Sequence, residues 1–505
     1  MQEMKPFFGE IHTHTGLSDG NGSAEDNFRV ASAHLDFWAM ADHAFDKEVF
    51  DLDYRKSGPN GQILNDHWQT IQSLCRDYED PGRFIPFLAY EWTNYQYGHH
   101  NVYYLEYDQP LRMPPTLRQL YKAVNGVDVL VIPHHTGYAV GFCGKNWDYH
   151  DERLSPFVEI YSMHGSSEEP GGPKPLLTGG SWMGPGGAGG SVQEGLARGY
   201  RLGIMASSDS HFDHPGAYDN GLIAAYADDL SRRSLWDAFK RKSIYGVTGD
   251  RIILDFRING EPMGSSITAR KERRIDIKVE AWDAVDRVDI IKNNTLLHSF
   301  VAPVGSISKS SLSRVRFMVE WGWDRMKHEE WTGRLQVKGG RIVEAVECRR
   351  GDVESRLGRG ITAITRDSCA WTSKPRQVRV GWLARTFAEG IAFDVECAQD
   401  GEIGVQFDYA GMRREEILNP RDIMGGPKVV YVEHVPPVNN GAYWDHMASF
   451  AKYKIHQGHP VAALTLDLEY SDAPSGRAGT DFYYVRVVQK NGQLAWSSPI
   501  WVDGQ

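Results

Sequence analysis

Phe7 to Gly20 reads FFGEIHTHTGLSDG, and its two histidines are the first residues whose spacing suggests chemistry. Side chains two apart on a β-strand point the same way, so His12 and His14 can reach one ion. Neutral imidazole is the commonest protein ligand for a metal. With 19 histidines in 505 residues, one such pair carries little by itself. The same setting recurs along the chain, however. Asp42-His43 follows FWAMA, Glu91 follows FIPFLAY, His99-His100 precedes an apolar run, His134-His135 follows VLVIP, His164 follows FVEIY, and Asp209 and His211 follow LGIMA.

Those apolar runs read as strands. Between them, apolar residues at helical spacing (Phe28, Ala31 and Leu35; Trp68, Ile71, Leu74, Cys75 and Tyr78; Leu117, Leu120, Tyr121 and Val124) predict helices. Ser23, three residues before Asp26, is a good N-cap for the first. Helices are also expected over 191–198 and from Ser231 to about Arg241. Alternating strands and helices over the first half predict a parallel sheet, closed as a barrel or open. In such folds reactive groups collect beyond the carboxyl ends of the strands, where the acids and imidazoles stand.

Imidazole and carboxylate ligands suit Zn, Mn or Fe. Water held by such ions is acidified from a pKa of about 15.7 towards about 7, and a carbonyl or phosphoryl oxygen is polarised. The reaction class this predicts is metal-assisted hydrolysis of an ester-like bond, without a Ser or Cys nucleophile. Gly16-Leu17-Ser18-Asp19-Gly20 also matches the Gly-x-Ser-x-Gly elbow, but histidines occupy the strand end where the elbow should turn.

A net charge of −11 and one short basic cluster, Arg270 to Arg274, argue against nucleic acid as partner. Five cysteines without a C-x-x-C pair suit a reducing compartment. No long apolar window or leader-like segment is present. The expectation is a cytoplasmic protein acting on a small molecule, off the membrane, with homo-oligomerisation left open.

HTHTGLSDG, MADHA (Met40 to Ala44), Glu91, IPHH and SSDSH, in this order, resemble the metal motifs of the PHP (polymerase and histidinol phosphatase) superfamily. SSDSHFDHPG, GLIAAYA, IYGVTGDRI and the terminal YYVRVVQKNGQLAWSSPIWV resemble a branch with a C-terminal β-rich extension, similar also to the carbaryl hydrolase type, which cleaves a carbamate ester. The resemblance implies a distorted seven-stranded (β/α) barrel over 1–250 and a site of two or three divalent ions. His12, His14, Glu91 and Asp209 would hold one, and Glu91 would bridge to a second on His99 and His134. Asp19, His43 and His211 would surround a third. His100 and His135 compete with their neighbours for these roles, and His135 would otherwise face substrate. Asp42 would orient an imidazole. The expected catalytic residues are Asp209, His211 and His164, the last for proton transfer or substrate contact, with Trp92 and Tyr161 lining the substrate. A Gly- and Pro-rich segment, 164–190, is expected to close over substrate, with Lys174 or Trp182 contributing.

Beyond Gly249 many short alternating runs and turn pairs (Asn259-Gly260, Asn293-Asn294, Gly339-Gly340, Asn491-Gly492) predict one or two antiparallel sandwiches over 251–505. A division is expected near 350–360, with loops at 413–416 and 472–479. Trp321, Trp323 and Trp331 suggest either core or a carbohydrate surface. Three functions follow: a hydrolase of carboxylic or carbamate esters, a phosphoesterase, and a non-catalytic protein with structural metals.

Overall fold

The computed structural model describes residues 5–45, 63, 65–177, 183–268, 272–301, 312–323, 329–375, 379–380, 383–384, 388–432, 451–473 and 479–504. The first half is mixed α/β. Its elements are β1 (Phe7–Glu10), α1 (Ala24–His34), β2 (Phe37–Met40), β3 (His43–Ala44), α2 (Asn65–Tyr78), β4 (Ile85–Trp92), β5 (His100–Tyr104), α3 (Leu117–Ala123), β6 (Val129–Pro133), β7 (Phe157–Ser162), β8 (Gly165–Ser166), α4 (Val192–Ala197), β9 (Gly203–Ala206), β10 (Leu222–Ala225), α5 (Arg232–Lys240) and β11 (Ile244–Val247). Ser23 caps α1, its hydroxyl accepting the Asp26 N–H.

The pairing is only partly parallel. β1–β2, β2–β4 and β7–β9 run parallel, whereas β4–β5, β5–β6, β1–β10 and β10–β11 are antiparallel. The loop β4–β5 contains no crossover helix, which a parallel return usually uses, whereas β5–β6 and β10–β11 are antiparallel although α3 and α5 lie between their strands. β7, β8 and β9 form their own three-stranded sheet, beside a fourteen-stranded sheet holding the other strands of this half. A strictly alternating barrel is therefore not what the ladders describe.

That larger sheet continues into the end of the chain. Leu494–Ser497 pairs antiparallel with β11 and, as a hairpin, with Thr480–Gln489. Ser498-Pro499 separates it from Ile500–Asp503, since proline has no N–H for a ladder. Glu168, in the Gly-rich segment, is fully buried and accepts hydrogen bonds from Tyr484 Oη (2.7 Å), Trp496 Nε1 (2.8 Å) and Arg486 Nη1 (3.0 Å).

A nine-stranded sheet makes up most of the rest. Gly339-Gly340 does not turn the chain. It lies within one strand, Trp331–Cys348, at a register shift against Ala388–Tyr409, so two glycines that look like a hairpin serve as a bulge. Residues 413–416, expected to be a loop, lie in the strand Met412–Leu418. Trp321 and Trp331 are buried, packed against Trp371, Phe407 and Tyr409. Asp352 caps a short helix, Val353–Arg356, and Val353 lies beside Gly22 just before α1. No helix among the described residues is long and apolar enough to cross a membrane.

Candidate metal centre

The segment 12–14 is held where β1 ends by direct backbone pairing with 208–211. His14 N–H donates to Ser210 O (3.0 Å), Asp209 N–H donates to His12 O (2.9 Å), and Thr13 and Ser210 form a parallel bridge. Ser208 Oγ donates to His12 O (3.1 Å). Asp209 has a left-handed φ of 52°, uncommon away from glycine and typical of functional sites.

Glu91, at the end of β4, is the hub. Its Oε2 lies 3.6 Å from His12 Nε2, 3.3 Å from His14 Nε2 and 3.2 Å from His43 Nδ1, and its Oε1 lies 2.7 Å from His99 Nδ1 and 3.7 Å from His134 Nε2. Asp209 Oδ1 is 3.2 Å from both His12 Nε2 and His14 Nε2. On the outer side Asp19 faces His43 (3.6 Å) and His211 (3.5 Å). His211 Nδ1–H donates to Asp209 O (3.1 Å), which turns Nε2 into the centre. Three sets of potential ligand atoms result, each within 4.8 Å of one another: His12, His14, Glu91 and Asp209; His14, Asp19, His43 and His211; and His99, His134 and His135.

These residue types and positions fit divalent cations. His12 Nε2, His14 Nδ1, Glu91 Oε2, His99 Nε2, both ring nitrogens of His134 and His135 Nδ1 are buried with no hydrogen-bond partner among the described residues. Buried polar atoms left unmatched in this way call for cations or water. Charge says the same. Burial pushes the Glu91 carboxyl up, but the surrounding imidazoles, His43 foremost, hold it well below the usual range. Burial pulls His14 down, yet Asp209 and Glu91 raise it to about 10. The acids thus require positive charge, which protons on imidazoles supply when metal ions do not. In the other set burial keeps His99, His134 and His135 below the ordinary histidine value, hence neutral and able to ligate.

His164 stands at the rim, 17% exposed, with Nε2 3.2 Å from Asp209 Oδ2 and Nδ1 3.1 Å from Tyr138 Oη. Other expectations need correcting. Trp92 follows Glu91 on β4 and so points to the opposite face; it packs on Tyr97 and His100 and donates to Pro114 O, away from the ligands. Tyr161 stacks on Trp496 and donates to Asp219 O, and Lys174 pairs with Asp219. Trp182 lies outside the described residues. Among the described residues Asp42 is hydrogen-bonded to no imidazole. It accepts from Thr15 N–H, Thr15 Oγ1 and Ser18 Oγ (2.8, 2.8 and 2.5 Å), fixing the loop between His14 and Asp19. His100 turns away from the centre, accepting from Lys145 Nζ (2.9 Å) and donating to Gly98 O (2.8 Å). The basic residues Lys145, Arg198, Arg201 and Arg251 are engaged elsewhere: the first donates to His100, the second pairs with Asp148 and Glu194, the third pairs with Asp503 and the last donates to His34 O.

Sequence reasoning placed Glu159 on the right strand without its role. Glu159 Oε2 accepts from His12 Nδ1 (2.9 Å), both side chains being almost fully buried. Its one signal was a charge within the apolar strand FVEIY. Thr93, bonded to His43 Nδ1 (2.7 Å) and Glu91 Oε1 (3.1 Å), gave none.

The family described as "Protein of unknown function (DUF3604)" matches residues 30–170 and 204–258. An uncharacterized protein of Chlamydia pneumoniae is 29% identical over 262 residues, 46% of this chain and 41% of that protein. One of Chlamydia trachomatis serovar D is 28% identical over 257 residues, 46% of this chain and 40% of that protein. The match thus spans about two fifths of the length of these curated relatives. Among solved structures, a two-domain protein of Bacteroides vulgatus, described as containing a predicted PHP-like metal-dependent phosphoesterase, overlays with a TM-score of 0.34 and 12% identity, covering 82% of this chain and 95% of that one.

Proposed function

We propose that this chain is a metal-dependent hydrolase of the PHP type, its first 250 residues a distorted barrel and residues 251–505 a β-rich accessory region. Its substrate is a small molecule with a carboxylic or carbamate ester bond. The observation that supports this reading best is the convergence of His12, His14, Asp19, His43, Glu91, His99, His134, Asp209 and His211 with so many buried polar atoms unmatched.

Two or three divalent ions (Zn, Mn or Fe), when bound, supply acidified water and polarise the ester oxygen. The chain's own residues do the rest. Glu159 holds His12 with Nε2 facing inward. Asp42 fixes the loop that brings Asp19 beside His43. His211 is turned by the Asp209 carbonyl. His164, between Asp209 and Tyr138 at the rim, is placed to pass a proton to a leaving group.

The test is metal analysis of the purified chain combined with a screen of carboxylic esters, carbamates, nitrophenyl phosphates and phosphodiesters. His12→Ala and Asp209→Ala are expected to lose bound metal and ester turnover while keeping the circular dichroism of the parent. Unchanged turnover in either variant refutes the assignment. Turnover of phosphates alone makes the chain a phosphoesterase, and full loading without turnover makes its metals structural.

A further inference from the structure

His134 and His135 are neighbours at the end of β6, where successive side chains should point to opposite faces. They do not. His135 has φ 33°, a left-handed conformation that side chains rarely adopt, and this swings its ring to the side already occupied by His134. The two ring centroids lie 4.3 Å apart, and that of His99 lies 4.8 Å from His135. One ligand atom from each of the three imidazoles falls within 4.8 Å of the others. His135 is 3% exposed and its Nδ1 has no hydrogen-bond partner among the described residues. The backbone is thus bent at a non-glycine residue, with glycine only two positions on at Gly137, and the bend converts an alternating pair into a converging one.

We infer that His135 is itself a metal ligand, forming with His99 and His134 a three-imidazole site for one divalent ion. Three protein donors are enough to hold such an ion with a position left open. His135 is then a ligand and not a substrate contact. The inference rests on the metal loading proposed above.

The experiment uses the full chain loaded with Co2+, and reads ions per chain by mass spectrometry together with the visible absorption of the bound cobalt. His135→Ala and His135→Gln are each expected to lose one ion per chain and the matching part of the cobalt spectrum, with circular dichroism unchanged. If one variant fails to fold, the other is read. A folded variant with parental ion content and cobalt spectrum overturns the inference, even if its turnover falls. A parent chain that binds no cobalt sinks the hydrolase reading itself, an outcome the variants do not mimic.

Discussion

Glu159→Gln isolates the carboxylate behind His12. The two groups are 2.9 Å apart and shielded from water, so salt screens them little. At an effective dielectric of about 20, full charges at that distance attract by about 6 kcal/mol. Burial more than offsets this pull and raises the carboxyl's pKa to about 7, so the charge is full only above neutral pH. Glutamine keeps the shape, and its carbonyl still accepts the Nδ1–H. What disappears is the charge, which makes such a bond roughly twice as strong as a neutral one. Partners of this kind behind a ligating histidine contribute about 10- to 100-fold in metal affinity, or about 1.4 to 2.7 kcal/mol. Competition with a chromogenic chelator above neutral pH should show that weakening for one ion, with the folded structure unchanged. An affinity within about twofold of the parent's would refute the reasoning, because the geometry would then orient His12 without the charge.

Lys145→Met tests a buried amine whose pKa burial pulls down to about 7. Between that value and the ordinary lysine value of about 10.4 the unfolded chain binds more protons than the folded one, so stability rises with pH by about 1.4 kcal/mol per unit. Methionine lacks this titration. In urea unfolding followed by tryptophan fluorescence, the parent should gain on the variant from pH 7 to 10, whereas a gap constant with pH counts against the burial argument. Ser18→Ala should leave ester turnover within a few-fold of the parent, since Thr15 N–H and Oγ1 still hold Asp42 and with it the loop. Complete loss with bound metal unchanged would revive a serine nucleophile.

The candidate ligands are legible because they stand at strand ends, and runs such as FIPFLAY and VLVIP announce where those ends fall. What was not legible depends on backbone angles and on long-range partners. Nothing in the letters HH says that His135 takes a left-handed φ, or that His100 faces Lys145. Trp92 reads as part of a site because it follows Glu91, yet strand alternation turns it to the opposite face. Asp42 was close enough in sequence to His43 to suggest an imidazole partner, but its hydrogen bonds go to Thr15 and Ser18. The antiparallel strands were missed because hydrophobic runs mark strands without giving their direction. The glycine pair at 339–340 failed for a related reason, since a bulge and a hairpin use the same residues.

The pairing of Leu494–Ser497 with β11 has a consequence for how the protein is made. At about 5 to 20 residues per second on the ribosome, β11 waits roughly ten seconds or more for the strand that covers its edge, and Glu168 waits as long for Tyr484 and Trp496. During that interval the nascent first half exposes an unpaired strand edge and a buried-type carboxylate without donors, both invitations to aggregation. Synthesis that stalls before residue 480 therefore yields not a smaller protein but an unfinished one, and its yield should depend on chaperones that guard such edges.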